Sequence, residues 1–480
     1  MDASLLKETE FATIDRETWV KLAQKALKGA DFDETLISRT DDNIAIEPLY
    51  QRRRKAKLTP RKNPAEAWHM VQRIDDPDPV RANRQLLEDL ENGATGIALV
   101  FEGAPNAFGY GLPSTREAVD KVLQGVHLDM IHLRMDVHPK SRACADWFVD
   151  YMRPRDVNPK TLSFSLGIDP AATLAGTGRL RMTLAALKAS LPQSLSGFFS
   201  PDLPGIVLEA DGRVYHNAGA TEAQELGAML SIATGHFRLF EEARQPIVYA
   251  APHLGFALSV DQDQFVSIAK IRAMRRLWAR LQESCGSMRP APATIHTETS
   301  YRMMTKLDPE TNILRTTIAA FAAAIGGADS IAILPHTIAH GLPDAFARRL
   351  ARNTQLVLAD ESNVAFVADP ACGSGAVESL TEGLCETAWK EFQALERDGG
   401  ILQSLVDGKF QARIVEARNA RSKEYRSGKR AIIGTTLFPA KQERPVTVLD
   451  APHMPLPTDG VVHCEPLTFP RIDETLQASE

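Results

Sequence analysis

The chain has 480 residues, of which 44% are apolar and 24% are charged, and this composition excludes a largely disordered protein. Its net charge of −6 is too small and of the wrong sign for a nucleic-acid partner. Five cysteines without a CxxC pair, an acidic N-terminal stretch and the lack of a long apolar run argue against a disulfide scaffold, a signal peptide and a membrane span. We therefore expect a cytoplasmic protein without a membrane partner.

The first predicted element is a helix near the N-terminus. Asp15 is a suitable N-cap, and apolar side chains headed by Trp19 and Leu22 fall on one side of the helix. The basic stretch 51–64 follows, and we interpret it as a solvated connector, with a phosphate or nucleotide site as the alternative. Residues 1–60 are therefore predicted to form a helical arm.

Eight short apolar or β-branched runs come next, and helical patterns separate them, most clearly over 261–284. No glycine-rich fingerprint follows the first run, so a closed barrel is favoured over an open nucleotide-binding sheet. We predict a (β/α)₈ TIM barrel over residues 61–438. Its candidate strands are Gly96–Phe101, Ile131–Val137, Ser163–Ile168, Ile206–Glu209, Ile247–Ala250, Thr294–Thr297, Ser330–Leu334 and Val364–Val367.

One of the later helices has a regular apolar spacing. Leu342, Phe346 and Leu350 step by four, and we interpret them as the stripe that faces the core, with Arg348 and Arg352 facing elsewhere. After the barrel the amino-acid composition changes, because seven prolines fall within 439–470. We expect residues 439–480 to form an extended C-terminal strap, not a second domain.

Three segments of the barrel resemble a known family, the adenosylcobalamin-dependent acyl-CoA mutases, above all methylmalonyl-CoA mutase. RTTIAAFAAAIGG (315–327), FARRLARNTQ (346–355) and DPACGSGAVE (369–378) are similar to the family segments RTxIxAxAAxxGG, FxxRxARNTQ and DPxGGSxxVE, in the same order and at the same spacing. The resemblance extends over about residues 15–440. It implies the TIM barrel and a link to acyl-CoA isomerisation.

Two segments on which catalytic members of the family depend are altered or missing. Cobalamin is bound there by a C-terminal domain with DxHxxG, whereas the D-x-H of this chain is Asp136-Val137-His138, without the glycine. We therefore expect no cobalamin-binding domain and no metal ligand in this chain. The segment TMYxxRPW, which guides the CoA in catalytic members, corresponds here to KNPAEAWHMVQRI (62–74).

A third comparison concerns the histidine that contacts the thioester in the family segment GYHxQEAGA. Here the segment is GRVYHNAGATEAQELG (212–227), and alignment on AGAT places Val214 where the family has its histidine. His216 lies two residues further on. If this segment is a strand, the shift keeps the same face but moves the side chain by about 7 Å. His216 is thus a weak catalytic candidate and is more readily explained as structural.

A fourth comparison concerns the family segment THCQTSG. The chain keeps His296 but has Glu298 in place of glutamine and Tyr301 in place of glycine. A large ring and a carboxylate on the barrel axis both disfavour an anionic acyl thioester. His296 with Glu298 as an acid–base pair remains an alternative to a packed polar pair. His216, His296 and Glu298 are the only catalytic candidates, and the sequence indicates no cofactor-binding residue.

With these differences, the chain resembles the small (β) subunit type of the family. ETSYRMM (298–304) is its closest signature. The resemblance implies a heterodimer in which a catalytic large subunit holds adenosylcobalamin and the acyl-CoA substrate, and an isolated small chain that is inactive and binds no cofactor. One alternative is that this barrel itself binds substrate and works with a separate cobalamin-binding subunit. Another is a chaperone-like or regulatory partner.

The resemblance also bears on the arm. In the mutase family the N-terminal arm wraps the partner subunit, which would bury Trp19 and Leu22 in an interface. The alternative is that the same apolar stripe packs back on the chain's own barrel. A helix this short is marginal in isolation, so its apolar side must pack either on the partner subunit or on the chain's own barrel.

Overall fold

A closed barrel of eight parallel strands forms the centre of the computed structural model, which describes residues 14–477 apart from 156, 196–204, 243 and 245. β8 pairs with β1, and every neighbouring pair in the ring is parallel, so the prediction of a TIM barrel is confirmed. The strands are β1 (His69–Ile74), β2 (Gly96–Leu99), β3 (His132–Met135), β4 (Ser163–Ile168), β5 (Ile206–Asp211), β6 (Leu254–Val260), β7 (Thr294–Thr299) and β8 (Ser330–Ala332).

Helices surround the ring and extend it at both termini. Within the described residues, none of them has both the length and the apolar character that crossing a bilayer requires. They are α1 (Arg16–Ala26), α2 (Phe32–Leu36), α3 (Pro79–Glu91), α4 (Arg116–Val122), α5 (Ser141–Met152), α6 (Pro170–Thr177), α7 (Leu184–Leu195), α8 (Arg213–Ala218), α9 (Glu222–Glu242), α10 (Ile247–Ala250), α11 (Gln264–Ser284), α12 (Thr311–Gly326), α13 (Ala345–Leu356), α14 (Gly375–Arg397), α15 (Ile401–Val406), α16 (Lys409–Arg426) and α17 (Ile472–Gln477).

Six of the eight predicted strands are confirmed and two are wrong. Residues 247–250 form the single helical turn α10, and Val364–Phe366 form a 3₁₀ turn in which only Phe366 is exposed. Short apolar runs do not distinguish a strand from a helical turn. The strands in their place are β6 and β1, and β1 escaped detection because its run HMVQRI contains the buried polar residues Gln72 and Arg73.

The predicted orientation of α13 is also wrong. Asp344 caps this helix by accepting a hydrogen bond from the amide of Ala347 (2.9 Å). Its buried face, however, carries Arg348 and Arg352, whereas Phe346 is exposed. The two guanidinium groups point inward because they form ion pairs with buried carboxylates, for example with Asp75 at 2.7 Å from Arg348.

The N-terminal segment 14–60 consists of an exposed part and a docked part. Asp15 caps α1 as predicted, accepting the amide of Thr18 at 2.8 Å. No residue of α1 is buried, and the Trp19 ring meets the Phe32 ring edge-on at 6.1 Å. Further on, Asp41 fastens the segment to α16 through an ion pair with Arg421 (2.6 Å). Residues 1–13 of the predicted arm lie outside the described part.

Residues 439–477 run across the loops at the carboxyl ends of the barrel strands. Val448–Leu449 pairs with Leu342–Pro343, and Val462–His463 pairs with Arg179–Leu180, each as a short antiparallel ladder. The amide of Ile472 donates to the carbonyl of Arg302 (3.0 Å). This segment therefore ties together loops that are far apart in sequence, at the end of the barrel where enzymes of this fold have their active sites.

Candidate functional site: the barrel axis

Charged side chains occupy the barrel interior, where most TIM barrels have branched apolar side chains. Arg73, Arg134 and Arg213 project into it and are almost completely buried. Charged side chains occupy alternate positions of their strands, so they share the inner face. The buried carboxylates around them belong to Asp75, Asp136, Glu209, Asp211 and Glu298.

Arg213 is the centre of this network. It stands at the start of α8 and holds Asp211 through two bonds, Nε–Oδ1 at 3.0 Å and Nη2–Oδ2 at 2.6 Å. It also contacts Asp136 and lies 3.4 Å from Glu298. Arg73 approaches Glu298 from the other side, at 3.3 Å. One guanidinium group thus joins carboxylates from three strands or strand ends.

The pKa values of the carboxyl groups reflect this pairing. Burial raises the pKa of Asp136, but Arg213 and Arg134 outweigh that effect and hold it at about 2. Burial also raises the pKa of Glu298, and there the neighbouring arginines compensate only in part. Charges in such a site are stable only while their partners remain in place.

Two aromatic rings close the carboxyl end of the barrel axis, next to the charged side chains. Phe108 and Tyr301 stack at 4.2 Å with 12° between their planes, and the Arg73 guanidinium lies 5.0 Å from the Phe108 ring. Arg471, from the C-terminal segment, donates a hydrogen bond to the Tyr301 hydroxyl (3.4 Å). The carboxyl end of the barrel is therefore plugged by side chains of the chain itself, and Tyr301 occupies the axis as the sequence suggests.

The opposite end of the axis contains a cavity of about 390 Å³. The rings of His69 and His132 stack there at 4.9 Å, and His296 Nδ1 is hydrogen-bonded to the Ser330 hydroxyl at 2.8 Å. Burial and the adjacent His69 lower the pKa of His132 to about 3. Burial also lowers the pKa of His296 well below its ordinary value, so both imidazoles are neutral near pH 7.

His296 and Glu298 do not form the acid–base pair considered above. His296 lines the cavity and pairs with Ser330, whereas Glu298 lies higher on β7 between Arg73 and Arg213. The two side chains contact different sets of neighbours, and His296 Nε2 has no hydrogen-bond partner. The arrangement is that of packed polar residues.

His216 lies outside this axis, in a helix. The shift of about 7 Å considered above applies to a strand, but Arg213–Ala218 forms the helix α8. Two residues along a helix turn through about 200°, so His216 and Val214 point in nearly opposite directions. His216 is completely buried, and its Nε2 is hydrogen-bonded to the Ser300 hydroxyl at 2.8 Å.

The surroundings of His216 have the donor set of a metal site but are organised around an ammonium group. One ligand atom each of His216, Glu222 and Glu225 lies within 4.8 Å of the others. The Lys270 ammonium, however, is 2.7 Å from Glu225 and 3.6 Å from Glu222, and it also donates to His216 Nδ1 at 3.4 Å. Lys270 therefore supplies the positive charge that these carboxylates require.

Asp42 joins the N-terminal segment to this cluster, and its ionisation makes stability depend on pH. It accepts the amide of Ala223 at 3.1 Å, and burial and the nearby Glu222 raise its pKa from 3.8 to about 6. Because the folded state binds this proton more tightly, the contribution is complete below pH 4 and is lost as pH rises through 6.

We therefore expect the Asp42→Asn variant to lose less stability than the parent between pH 4 and 7, by up to roughly 3 kcal/mol. Asparagine keeps an acceptor for Ala223 but has no proton to lose. Urea unfolding at a series of pH values measures the effect. Asp129→Asn, a change at an exposed carboxyl group, is the control, and equal pH profiles for parent and Asp42→Asn would contradict the assignment.

The only D-x-H sequence considered above, Asp136 to His138, is also structural. Asp136 belongs to the Arg213 network. His138 Nε2 is hydrogen-bonded to the carbonyl of Glu102 (2.8 Å), and its Nδ1 accepts the amide of Lys140 (3.0 Å). Both ring nitrogens are occupied, and burial lowers the pKa of His138 to about 4.

Sequence reasoning missed the residues that dominate the site, namely the arginines of the axis. The signal was present in HLRMD and VLEAD, where charges two residues apart interrupt apolar runs. In a strand, that spacing places both charges on one face. Because a charged pair inside a strand usually indicates a solvated face, only the structure shows that this face is the interior.

Comparison with known proteins adds an independent line of evidence. The sequence model of the family described as methylmalonyl-CoA mutase matches residues 57–458. A methylmalonyl-CoA mutase small subunit from Streptomyces virginiae is 35% identical, over 95% of this chain and 75% of its own length. That of Propionibacterium freudenreichii subsp. shermanii is 33% identical, over 95% and 72%. Methylmalonyl-CoA mutase, mitochondrial, from Bos taurus is 28% identical, over 90% and 62%.

Proposed function

This chain belongs to the methylmalonyl-CoA mutase family, and on that premise we propose that it is the small subunit of such a mutase. The complete enzyme interconverts methylmalonyl-CoA and succinyl-CoA. The small subunit contributes a rigid barrel to the complex, while a catalytic large subunit holds adenosylcobalamin and substrate. The chain is thus part of an isomerase without carrying its active site.

The observation that carries this proposal is the filled barrel axis. An acyl thioester on the axis would have to displace the Phe108–Tyr301 stack and then separate Arg213 from its buried carboxylates. Separating a buried ion pair costs about 3–5 kcal/mol. The same observation counts against the alternative in which this barrel binds the substrate itself.

The residues present do not fit a cobalamin site. The histidine of the D-x-H sequence, His138, has both nitrogens hydrogen-bonded and is buried beneath a loop. The other histidines of the axis, His132 and His296, lie at the amino end of the strands, on the far side of the ions. We therefore assign no step of the rearrangement to this chain, and place the cofactor chemistry on its partner.

Reconstitution tests the proposal. The large subunit of the same mutase is titrated with this chain, and conversion of methylmalonyl-CoA is measured with adenosylcobalamin present. We expect a stable complex that turns over, and no turnover by this chain alone. The visible spectrum of adenosylcobalamin should stay unchanged when this chain alone is added. A new cobalt-ligand spectrum, or turnover without the large subunit, would show that this barrel is itself an active site.

His216→Gln and His296→Gln are expected to leave turnover of the reconstituted enzyme within a few-fold of the parent. Both histidines are neutral and hydrogen-bonded to a serine, and glutamine preserves a polar side chain of similar length. Turnover and thermal unfolding are measured side by side. A hundredfold loss of kcat in a folded variant, roughly 2.7 kcal/mol of transition-state stabilisation, would contradict the structural role.

A further inference from the structure

Helix α12 has an outer face without an exposed charged side chain. Its only charged residue, Arg315, is buried and donates to Thr305, Asn312 and the carbonyl of Ile433. Leu314 and Ile318 point outward and are exposed. Surface helices of soluble proteins normally present charged residues on this side. The neighbouring α11 does so, with the exposed pair Arg280 and Glu283.

Exposed apolar side chains also lie on the elements next to α12. Near its start, the loop after α16 is held by the bond from Arg315 Nη2 to the Ile433 carbonyl (2.6 Å) and carries Phe438, which is 80% exposed. The 3₁₀ turn that packs against α12 is followed by Val367 and contains Phe366, 82% exposed. The adjacent α13 carries Phe346, 62% exposed.

These exposed apolar residues lie on α12 and on the elements next to it. We name them the α12 face: Leu314, Ile318, Phe346, Phe366, Val367 and Phe438. Its three phenylalanines alone expose roughly 450 Å², taking about 200 Å² for each ring. The largest apolar patch on a typical monomer is about 300–600 Å² in total and is often functional.

The backbone at one edge of this face supports a functional reading. Phe438 has φ of +52°, in the left-handed region that bulky residues rarely adopt. Such a conformation persists only where its surroundings enforce it, and it is enriched at sites of binding and switching. In this conformation the Phe438 ring is 80% exposed.

We propose that the α12 face is the surface on which this chain docks the large subunit, a proposal that rests on the proposed function. Relatives that share a third of the sequence over 95% of this chain are named small subunits, which implies a larger partner. A stable interface buries about 800 Å² on each side, with aromatic anchors near its centre. The three phenylalanines of the α12 face supply more than half of that area and are aromatic residues of the kind that anchor interfaces.

The double variant Phe346→Glu/Phe366→Glu tests this assignment in the full-length chain. Both side chains already lie in solvent, so the free chain should keep its thermal unfolding temperature. Affinity for the large subunit, measured by titration and sedimentation, should fall by at least about thirtyfold because the anchors are lost. Phe346→Ala/Phe366→Ala serves the same purpose if the glutamate variant fails to fold.

The matched control is Tyr249→Glu, an aromatic side chain of similar exposure on α10, which should bind the large subunit with unchanged affinity. If the parent binds and the α12-face variants bind equally well, the docking assignment is wrong while the proposed function stands. If variants lose only self-association of the free chain, the face joins two copies of this chain and the assignment is again overturned. If the parent itself never binds the large subunit, the proposed function fails and the assignment fails with it.

Discussion

Replacing Arg213 with methionine is expected to destabilise the folded chain by about 3–5 kcal/mol. Methionine has a comparable length and apolar volume, so the loss is mainly electrostatic. It leaves Asp136, Asp211 and Glu298 without the cation that joins them, in an interior where an unpaired charge is strongly unfavourable. Urea unfolding measures the change in free energy.

The matched control for Arg213 is Arg153→Met, since Arg153 pairs with Asp150 at the surface and its side chain is 75% exposed. Surface pairs contribute little, so this variant should stay within about 0.5 kcal/mol of the parent. Equal stability of the two variants would mean that the barrel interior tolerates an unpaired carboxylate, and the argument for a structural axis would fall.

Deleting residues 1–40 is expected to weaken binding of the large subunit by about a hundredfold, roughly 2.7 kcal/mol, while the barrel stays folded. No residue of α1 is buried, and Trp19 meets only the edge of Phe32 among the ring contacts of the described chain. The alternative, packing of this stripe on the chain's own barrel, is therefore not what the described residues do. We propose that the stripe is covered in the complex.

Point variants refine the arm prediction. Trp19→Ser/Leu22→Ser should reproduce most of the weakening, whereas Lys21→Ser, on an exposed part of the same helix, should not. Sedimentation of the mixed subunits gives the affinities, and circular dichroism confirms the fold. Unfolding of the truncated chain, or an unchanged affinity, would remove the arm from the interface.

Much of the barrel could be predicted because most of its strands are apolar on the side that faces the helices. The alternation of strand and helix identified β2 to β5, β7 and β8 with small errors at their ends. β1 failed for a physical reason, since its inner face carries Arg73 and the run lacks a simple apolar pattern. A sequence reveals which residues are charged, but not that eight of them lie together inside the barrel as buried ion pairs.

The candidate site was harder to predict than the fold. The position of Tyr301 on the axis followed from its place in the sequence, but its partner Phe108 lies almost two hundred residues earlier, in a loop without a recognisable pattern. The predicted orientation of α13 was wrong because arginines spaced by four residues can form a buried ionic face as well as a solvated one. Long-range pairing decides between those cases.

The C-terminal segment has a consequence for how the chain is made. Arg471 meets Tyr301 across 170 residues of sequence, and His463 meets Arg179 across 284. Domains emerge from the ribosome N-terminus first, and contacts of long sequence separation form slowly. The barrel can close once β8 has emerged, whereas the contacts that cover its carboxyl end require the last residues of the chain. A nascent chain halted before residue 440 should therefore hold a closed ring with an open mouth, an intermediate that proteases would cleave in the loops that the strap later covers.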